Sequence, residues 1–279
     1  MPTSAIACWR CCCARQTIER CGGSCARKTS PTRCRDCNAV WASDARRSGT
    51  SSSSNGAVTA TSPDKLTSLQ RAVLHAMARA EPRVYLSGGA ALAGFHLRHR
   101  TTVDLDFFVR DVQAVVDARA ALGTVAADLQ ATLTVRQQTP TFIRAVVERA
   151  GEGLVVDIVH EDVPQLHEDK PTIDGVRVDP LDEILVNKLT ALVGRQEERD
   201  LIDVWFIEQT GLRVEDALAA AERKDGGCTP ATLAWLLSSF PVPADQRLPP
   251  PLTRDRLGAW RDELVLRLTR AARPPDDVG

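Results

Sequence analysis

The chain has 279 residues, 43% of them hydrophobic and 25% charged, with a formal net charge of −1. That balance describes an ordinary soluble protein of one or two domains. No run of about 18 apolar residues occurs, which excludes a transmembrane helix, and the N-terminal stretch AIACWRCCCAR meets an arginine after five residues, so it lacks a signal-peptide core. The expected compartment is the cytoplasm, with no membrane partner.

The near-neutral total conceals an asymmetry. Residues 1–60 carry a net charge of +6 and leave −7 for the rest, and eight of the nine cysteines lie between Cys8 and Cys37. Cys8, Cys11, Cys34 and Cys37 form two CxxC knuckles near zinc-ribbon spacing, a reading that would make the head a Zn2+-holding nucleic-acid contact. The competing reading is a disordered head, or one upstream of the working protein: Cys12, Cys13, Cys21 and Cys25 are surplus, no strand pattern joins the knuckles, and the segment runs out into SGTSSSSNGAVTATS, a flexible linker composition. The expected organisation is a head and linker over 1–61, a folded core over 62–211 and a helical C-terminal region over 212–279.

SPDKLTSLQRAVLHAMARA predicts a helix with Ser62 as N-cap, Pro63 at N1 and Lys65 at N3, with apolar residues following at helical spacing. RVYLSGG is a short strand ending in small residues, AALAGFHL is helix-prone, and TTVDLDFFVR is a second strand. Residues 111–130 predict an amphipathic helix with Val112, Val115, Val116, Ala120 and Leu122 on one side. TFIRAVVERAGEGLVVDIVH predicts a hairpin whose β-branched runs flank Ala150-Gly151-Glu152-Gly153. DPLDEILVNKLTALVG predicts a helix capped by Asp179 and stopped by Gly194, and ERDLIDVWFIEQTG a second one ending at Gly211. The remainder reads as helical with a proline-rich break at 241–251. The fold class is α+β: a small mixed sheet with flanking helices and a helical C-terminal part.

Chemistry gathers in LSGGAALAGFHLRHRTTVDLDFF, residues 86–108. Ser87, Gly88 and Gly89 lie between a strand and a helix, where backbone N–H groups can receive phosphate and glycine lets it approach closely. A strand-to-helix turn of purely structural purpose gives the same pattern. Asp104 and Asp106 flank one leucine in a strand, so period-2 alternation sends both carboxylates to one face, about 7 Å apart. Like charges so placed repel unless a cation lies between them, and Mg2+ suits one or two carboxylates plus substrate phosphates. A solvated edge strand is the alternative, weakened by the apolar Leu105, Phe107 and Phe108. Asp157 interrupts the otherwise apolar LVVDIV, where a charge must be paired, metal-bound or at an opening; it suits a general base or a further metal ligand.

Lys188 and Arg195 share a helical stripe with Leu181, Ile184 and Leu192, so both should reach an anion. A phosphate is one candidate, and Asp200 or Asp203 in the next helix the other. His99 and Arg100 suit phosphate contact or a surface turn equally.

With those residues collected, the sequence resembles the AbiEii/AbiGii-type toxin nucleotidyltransferases of the DNA polymerase β-like superfamily. GGAALA after a strand, HRTTVDLDFF, VVDIV and VDPLDEILVNKLTALVGRQEERDLIDVWFI occur in family order over about residues 84–211. The resemblance implies Mg2+-dependent transfer of a nucleoside monophosphate from an NTP to an acceptor, often within a toxin–antitoxin pair. Carried over, Ser87, Gly88 and Gly89 grip the triphosphate, Asp104 and Asp106 hold metal, and Asp157 takes the third-carboxylate position. Lys188, Arg195 and Asp203 match the later motif and contact nucleotide or order the site. The chain lacks a basic residue soon after the glycines, which shifts phosphate contact toward Arg100 and Lys188. A tRNA or other RNA, a protein hydroxyl or a small molecule remains open as acceptor, and a cognate antitoxin is an expected partner. The alternatives to an enzyme are a non-catalytic nucleotide-binding regulator and a zinc-ribbon nucleic-acid binder.

Overall fold

The computed structural model describes residues 65–273, so the head over residues 1–61 and its candidate zinc ligands lie outside the described residues. The first helix, α1, spans Ser68–Ala80. Its N-cap is Thr67, whose hydroxyl accepts from Gln70 N while the Gln70 side chain accepts from Thr67 N. That reciprocal box satisfies two of the four orphan amides of the first turn. The helix therefore starts beyond Lys65, later than the Ser-Pro signal predicts, because Thr67 and Gln70 meet the caps' geometric demand.

Strand β1 is Tyr85–Leu86, followed by a four-residue helix α2, Gly88–Ala91, that runs into a π-helical turn over Leu92–His96. Strand β2 is Asp104–Val109 and helix α3 is Val112–Asp128. Strands β3 (Thr132–Gln138), β4 (Phe142–Arg149) and β5 (Glu152–His160) follow. The sheet order is β1-β2-β5-β4-β3, with β2 and β5 parallel and the other pairs antiparallel. A two-stranded ribbon, β6 (Thr172–Ile173) and β7 (Val176–Arg177), precedes the helices α4 (Leu181–Arg195), α5 (Glu198–Glu208), α6 (Val214–Lys224), α7 (Pro230–Ser238) and α8 (Arg254–Ala271). This is the α+β class with a mixed sheet that the sequence predicts. Among the described residues no helix is long and apolar enough to cross a membrane.

Four local readings change. The buried side of α3 is Ala114, Val115, Ala118, Leu122, Val125 and Ala126, while Val112 and Val116 are exposed and Ala120 faces solvent. Small alanines let the helix approach the sheet, so they carry the contact that larger valines were expected to make. Strand β3 has mixed polarity and intermediate burial, which hides it from a periodicity reading. The hairpin turn is two residues, Ala150 (φ 51°) and Gly151 (φ 83°), and β5 already begins at Glu152. Helix α4 has Pro180 as N-cap and passes through Gly194 to Arg195, ending where Gln196 turns left-handed at φ 52°. Asp179, expected to cap it, instead makes a buried ion pair with Lys170 at 2.8 Å.

The pleat of β2 and β5 separates two faces. Leu105 and Phe107 lie beside Val156 and Ile158, and these beside Ala145 and Ile143 of β4. All six are buried in one apolar cluster with α1 and α3. At about 25 cal/mol per Å² of apolar surface, this back face anchors the sheet. The opposite face carries Asp104, Asp106, Asp157 and Arg144.

Candidate functional site

The glycine turn is fixed to the carboxylate strand. Ser87 N donates to Asp106 O at 3.3 Å. Gly88 has φ +64°, and a Cβ there would lie 3.0 Å from Asp106 Oδ2. Glycine is thus required twice, by backbone conformation and by the approach of a carboxylate. A Cβ on Gly89 would come within 3.2 Å of both Arg100 Nη2 and Thr102 Oγ1. The Thr102 hydroxyl donates to Asp104 Oδ1 at 2.8 Å, and Gln70 Nε2 from α1 donates to Thr102 O at 2.9 Å.

Gly88, Gly89, Arg100, Thr102, Asp104, Asp106, Lys188, Arg195 and Arg199 line one polar cleft of about 30 Å³. That holds a water or a metal ion but no nucleotide, whose sugar and base would have to lie over the mouth. The structure thus brings Gly88, Gly89, Arg100, Asp104, Asp106, Lys188 and Arg195 together from segments about a hundred residues apart in sequence. Ser87 sits just behind the turn, buried.

The basic residues are held by a buried ionic lattice. Lys188 Nζ lies 2.8 Å from Asp200 Oδ1 and 2.6 Å from Asp203 Oδ2. Arg195 grips Asp200 through Nε and Nη2, both at 2.6 Å. Arg100 grips Asp203 through Nε and Nη2, both at 2.7 Å, and His99 Nε2 approaches the same carboxylate at 2.8 Å. Burial opposes ionisation of Asp200 and Asp203. Lys188 with Arg195 outweighs that at Asp200, and Lys188 with Arg100 at Asp203, so both carboxyls stay well below the usual carboxylate range. Lys188, left open between phosphate and aspartate by the sequence, meets both aspartates and is also among the residues lining the cleft. Asp203 does not face the cleft; it stands behind Arg100 and Lys188 and orients them. Two acids, Asp200 and Asp203, face three basic side chains, Lys188, Arg195 and Arg100, next to Asp104 and Asp106.

Asp157 stands beside Asp106 in the parallel register and is fully buried. Both of its oxygens are taken by Arg144, with Nε to Oδ1 at 2.8 Å and Nη2 to Oδ2 at 2.7 Å. Among the described residues no cluster of three or more His, Cys, Asp or Glu side chains is placed to hold a metal ion. Asp104 and Asp106, both buried, supply hard oxygen donors to the cleft lining, a set that fits a small divalent cation sharing its coordination with phosphates.

Sequence reasoning missed Thr102, Arg199 and Arg144. Thr102 and Arg199 carry no local signal, since their role comes from the loop and helix packing. Arg144 does carry one: it interrupts an apolar strand as Asp157 interrupts the next, and a two-residue turn pairs them directly. The four-residue turn inferred from Gly151 and Gly153 shifts that register and separates them.

Residues 72–274 match the family described as the nucleotidyl transferase AbiEii toxin, type IV toxin–antitoxin system. Similar solved structures include JHP933 from Helicobacter pylori, 19% identical with TM-score 0.47, covering 73% of this chain and 92% of that one. They also include MenT4, a nucleotidyltransferase toxin from Mycobacterium tuberculosis H37Rv, 14% identical with TM-score 0.45, covering 75% of this chain and 83% of that one. Among curated protein sequences none matches this chain.

Proposed function

The chain belongs to the nucleotidyl transferase AbiEii toxin family, and from that premise we propose that it moves a nucleoside monophosphate from an NTP to an acceptor with Mg2+, as the toxin of a cytoplasmic toxin–antitoxin pair. The observation that carries the reading is the single cleft in which the Gly88-Gly89 turn, the Asp104/Asp106 pair and the Lys188/Arg195/Arg100 cations meet. A triphosphate needs close backbone approach, cations and a divalent metal at the same place, and each has a group assigned here.

At the mouth of this cleft Gly88 and Gly89, with Ser87 buried behind them, receive the β- and γ-phosphates, and Arg100 beside Gly89 neutralises them together with Lys188 and Arg195. Asp104 and Asp106 would hold Mg2+, which when bound supplies positive charge to the phosphoryl oxygens as they gain negative charge. Thr102 fixes the Asp104 carboxylate, and Asp200 and Asp203 keep the three cations in position. The acceptor oxygen bonds to the α-phosphorus and gives up its proton to solvent as the bond to pyrophosphate breaks. Asp157, expected from the sequence as the base, is buried and holds Arg144 through both oxygens, so its role here is to position that arginine.

The test incubates the protein with each α-32P-labelled NTP, Mg2+, and cell RNA or cell protein. Incorporation that requires Mg2+ and disappears in Asp104→Asn supports the reading. Mg2+·NTP binding without incorporation into any fraction favours a nucleotide-binding regulator instead. Co-purification with the product of an adjacent reading frame tests for the antitoxin.

A further inference from the structure

The site has a second half that the cleft does not include. The sheet order puts the glycine turn, which follows β1, on one side of Asp106, and β5 and β4 on the other. Across that other side the register runs Asp106, Asp157, Arg144, Gln137 in one row on one face. Strands lie about 4.8 Å apart, so the Arg144 backbone is roughly 10 Å from that of Asp106, well within the reach of an arginine side chain. Beyond Asp157 this face is partly open: Arg144, Gln137, Val146 and Val155 are all half-buried, and the Arg144 side chain keeps 27% exposure although Asp157 is buried.

In-line transfer requires the leaving pyrophosphate and the attacking oxygen to lie on opposite sides of the α-phosphorus. With the phosphate cradle on the β1 side, the acceptor approaches over β5 and β4. We propose that Arg144 is the acceptor-binding residue, held by Asp157 and contacting a phosphate next to the acceptor hydroxyl. This rests on the nucleotidyltransferase reading above and adds what that reading leaves open, the chemistry of the acceptor. Asp157 fills the Nε and Nη2 donors with two parallel bonds, so a phosphate oxygen is met by the Nη1 edge of the same guanidinium. A buried carboxylate behind a partly exposed arginine orients the fork and sets its position along the row. The phosphate of an RNA strand and that of a small phosphorylated molecule offer the same chemistry.

The experiment measures label transfer from α-32P-NTP and Mg2+ into total cell RNA, the small-molecule fraction and total cell protein, beside thermal shift with Mg2+·NTP alone. Arg144→Met should raise the half-saturating acceptor concentration at least tenfold while leaving half-saturation by Mg2+·NTP within twofold. Arg144→Lys, which keeps the charge and loses the fork, should fall between, and it carries the test if the methionine variant does not fold. Label in RNA assigns the phosphate to a strand, and label in the small-molecule fraction to a phosphorylated metabolite. Label in protein overturns the proposal, as does an unchanged acceptor half-saturation or an equal loss of Mg2+·NTP affinity. A wild type that neither transfers label nor shifts with Mg2+·NTP overturns the nucleotidyltransferase reading, and this proposal with it.

Discussion

Lys188 and Asp203 form a buried ion pair in which the ammonium lies 2.6 Å from a carboxylate that also receives Arg100 and His99. The lysine is thus a keystone of the lattice as well as part of the cleft wall. Removing its charge leaves Asp200 and Asp203 short of a partner in the interior. Lys188→Ala is expected to cost about 3–5 kcal/mol as well as weakening Mg2+·NTP binding. Urea denaturation and nucleotide titration of the same variant check the two effects; a stability loss under about 1 kcal/mol would show that Arg100 and Arg195 suffice without it.

Asp104 and Asp106 leave one strand on the same face, and in the proposed site a bound cation would relieve their mutual repulsion. Asp104→Asn and Asp106→Asn should keep the metal-free fold, and each should abolish transfer. Mg2+·NTP should raise the wild-type melting temperature and do so much less in either variant. Equal shifts in all three proteins would remove the pair from the metal site.

Gly88 combines φ +64° with a would-be Cβ contact of 3.0 Å to Asp106 Oδ2. Gly88→Ala is expected to destabilise by roughly 1–2 kcal/mol from the left-handed backbone and to push the Asp106 carboxylate out of line. Transfer should fall at least tenfold with a modest drop in melting temperature. Retained activity would mean that the carboxylate swings away without consequence.

Burial pushes the Asp179 carboxyl up to about 6 despite its Lys170 partner. A raised folded value means that ionisation costs stability above pH 6, and that this cost is relieved as pH falls through 6 toward 3.8. Wild type should therefore gain roughly 2 kcal/mol relative to Asp179→Asn between pH 7 and pH 4.5. Asp200 and Asp203 have lowered values, so their contribution is present above the ordinary carboxylate range and is lost only at more acidic pH. Paired urea curves at the two pH values check the sign; a parallel response of both proteins would contradict it.

Among the described residues the apolar core runs from Leu66 to Leu268. A chain beginning at Ser62 is expected to fold and to bind Mg2+·NTP within a few-fold of the full-length affinity. Aggregation of the shortened chain, or a tenfold loss of affinity, would place part of the head within the domain. Metal analysis of the full-length protein tests the zinc reading of Cys8, Cys11, Cys34 and Cys37.

The sequence by itself determined the features that follow from backbone periodicity. Two carboxylates on one face of β2, a glycine-bearing strand-to-helix turn and the stripe joining Lys188 to Arg195 all result from geometry within a few residues, which no distant packing can undo. The mixed α+β class followed from the same periods. Tertiary structure decided the partners. Arg100 and Asp203 are brought together across about a hundred residues, and whether Lys188 meets phosphate or aspartate depends on how α4 and α5 pack. Asp157 had to be paired because a buried charge without a partner is costly, yet its partner was set by turn length, since a two-residue slide of β4 against β5 exchanges Val146 for Arg144 beside it. Strand β3 stayed hidden for a related reason: its ladder is satisfied by β4, while its half-buried side chains carry little hydrophobic alternation. Charges choose partners by proximity and desolvation, and both exist only after the strands have found their order.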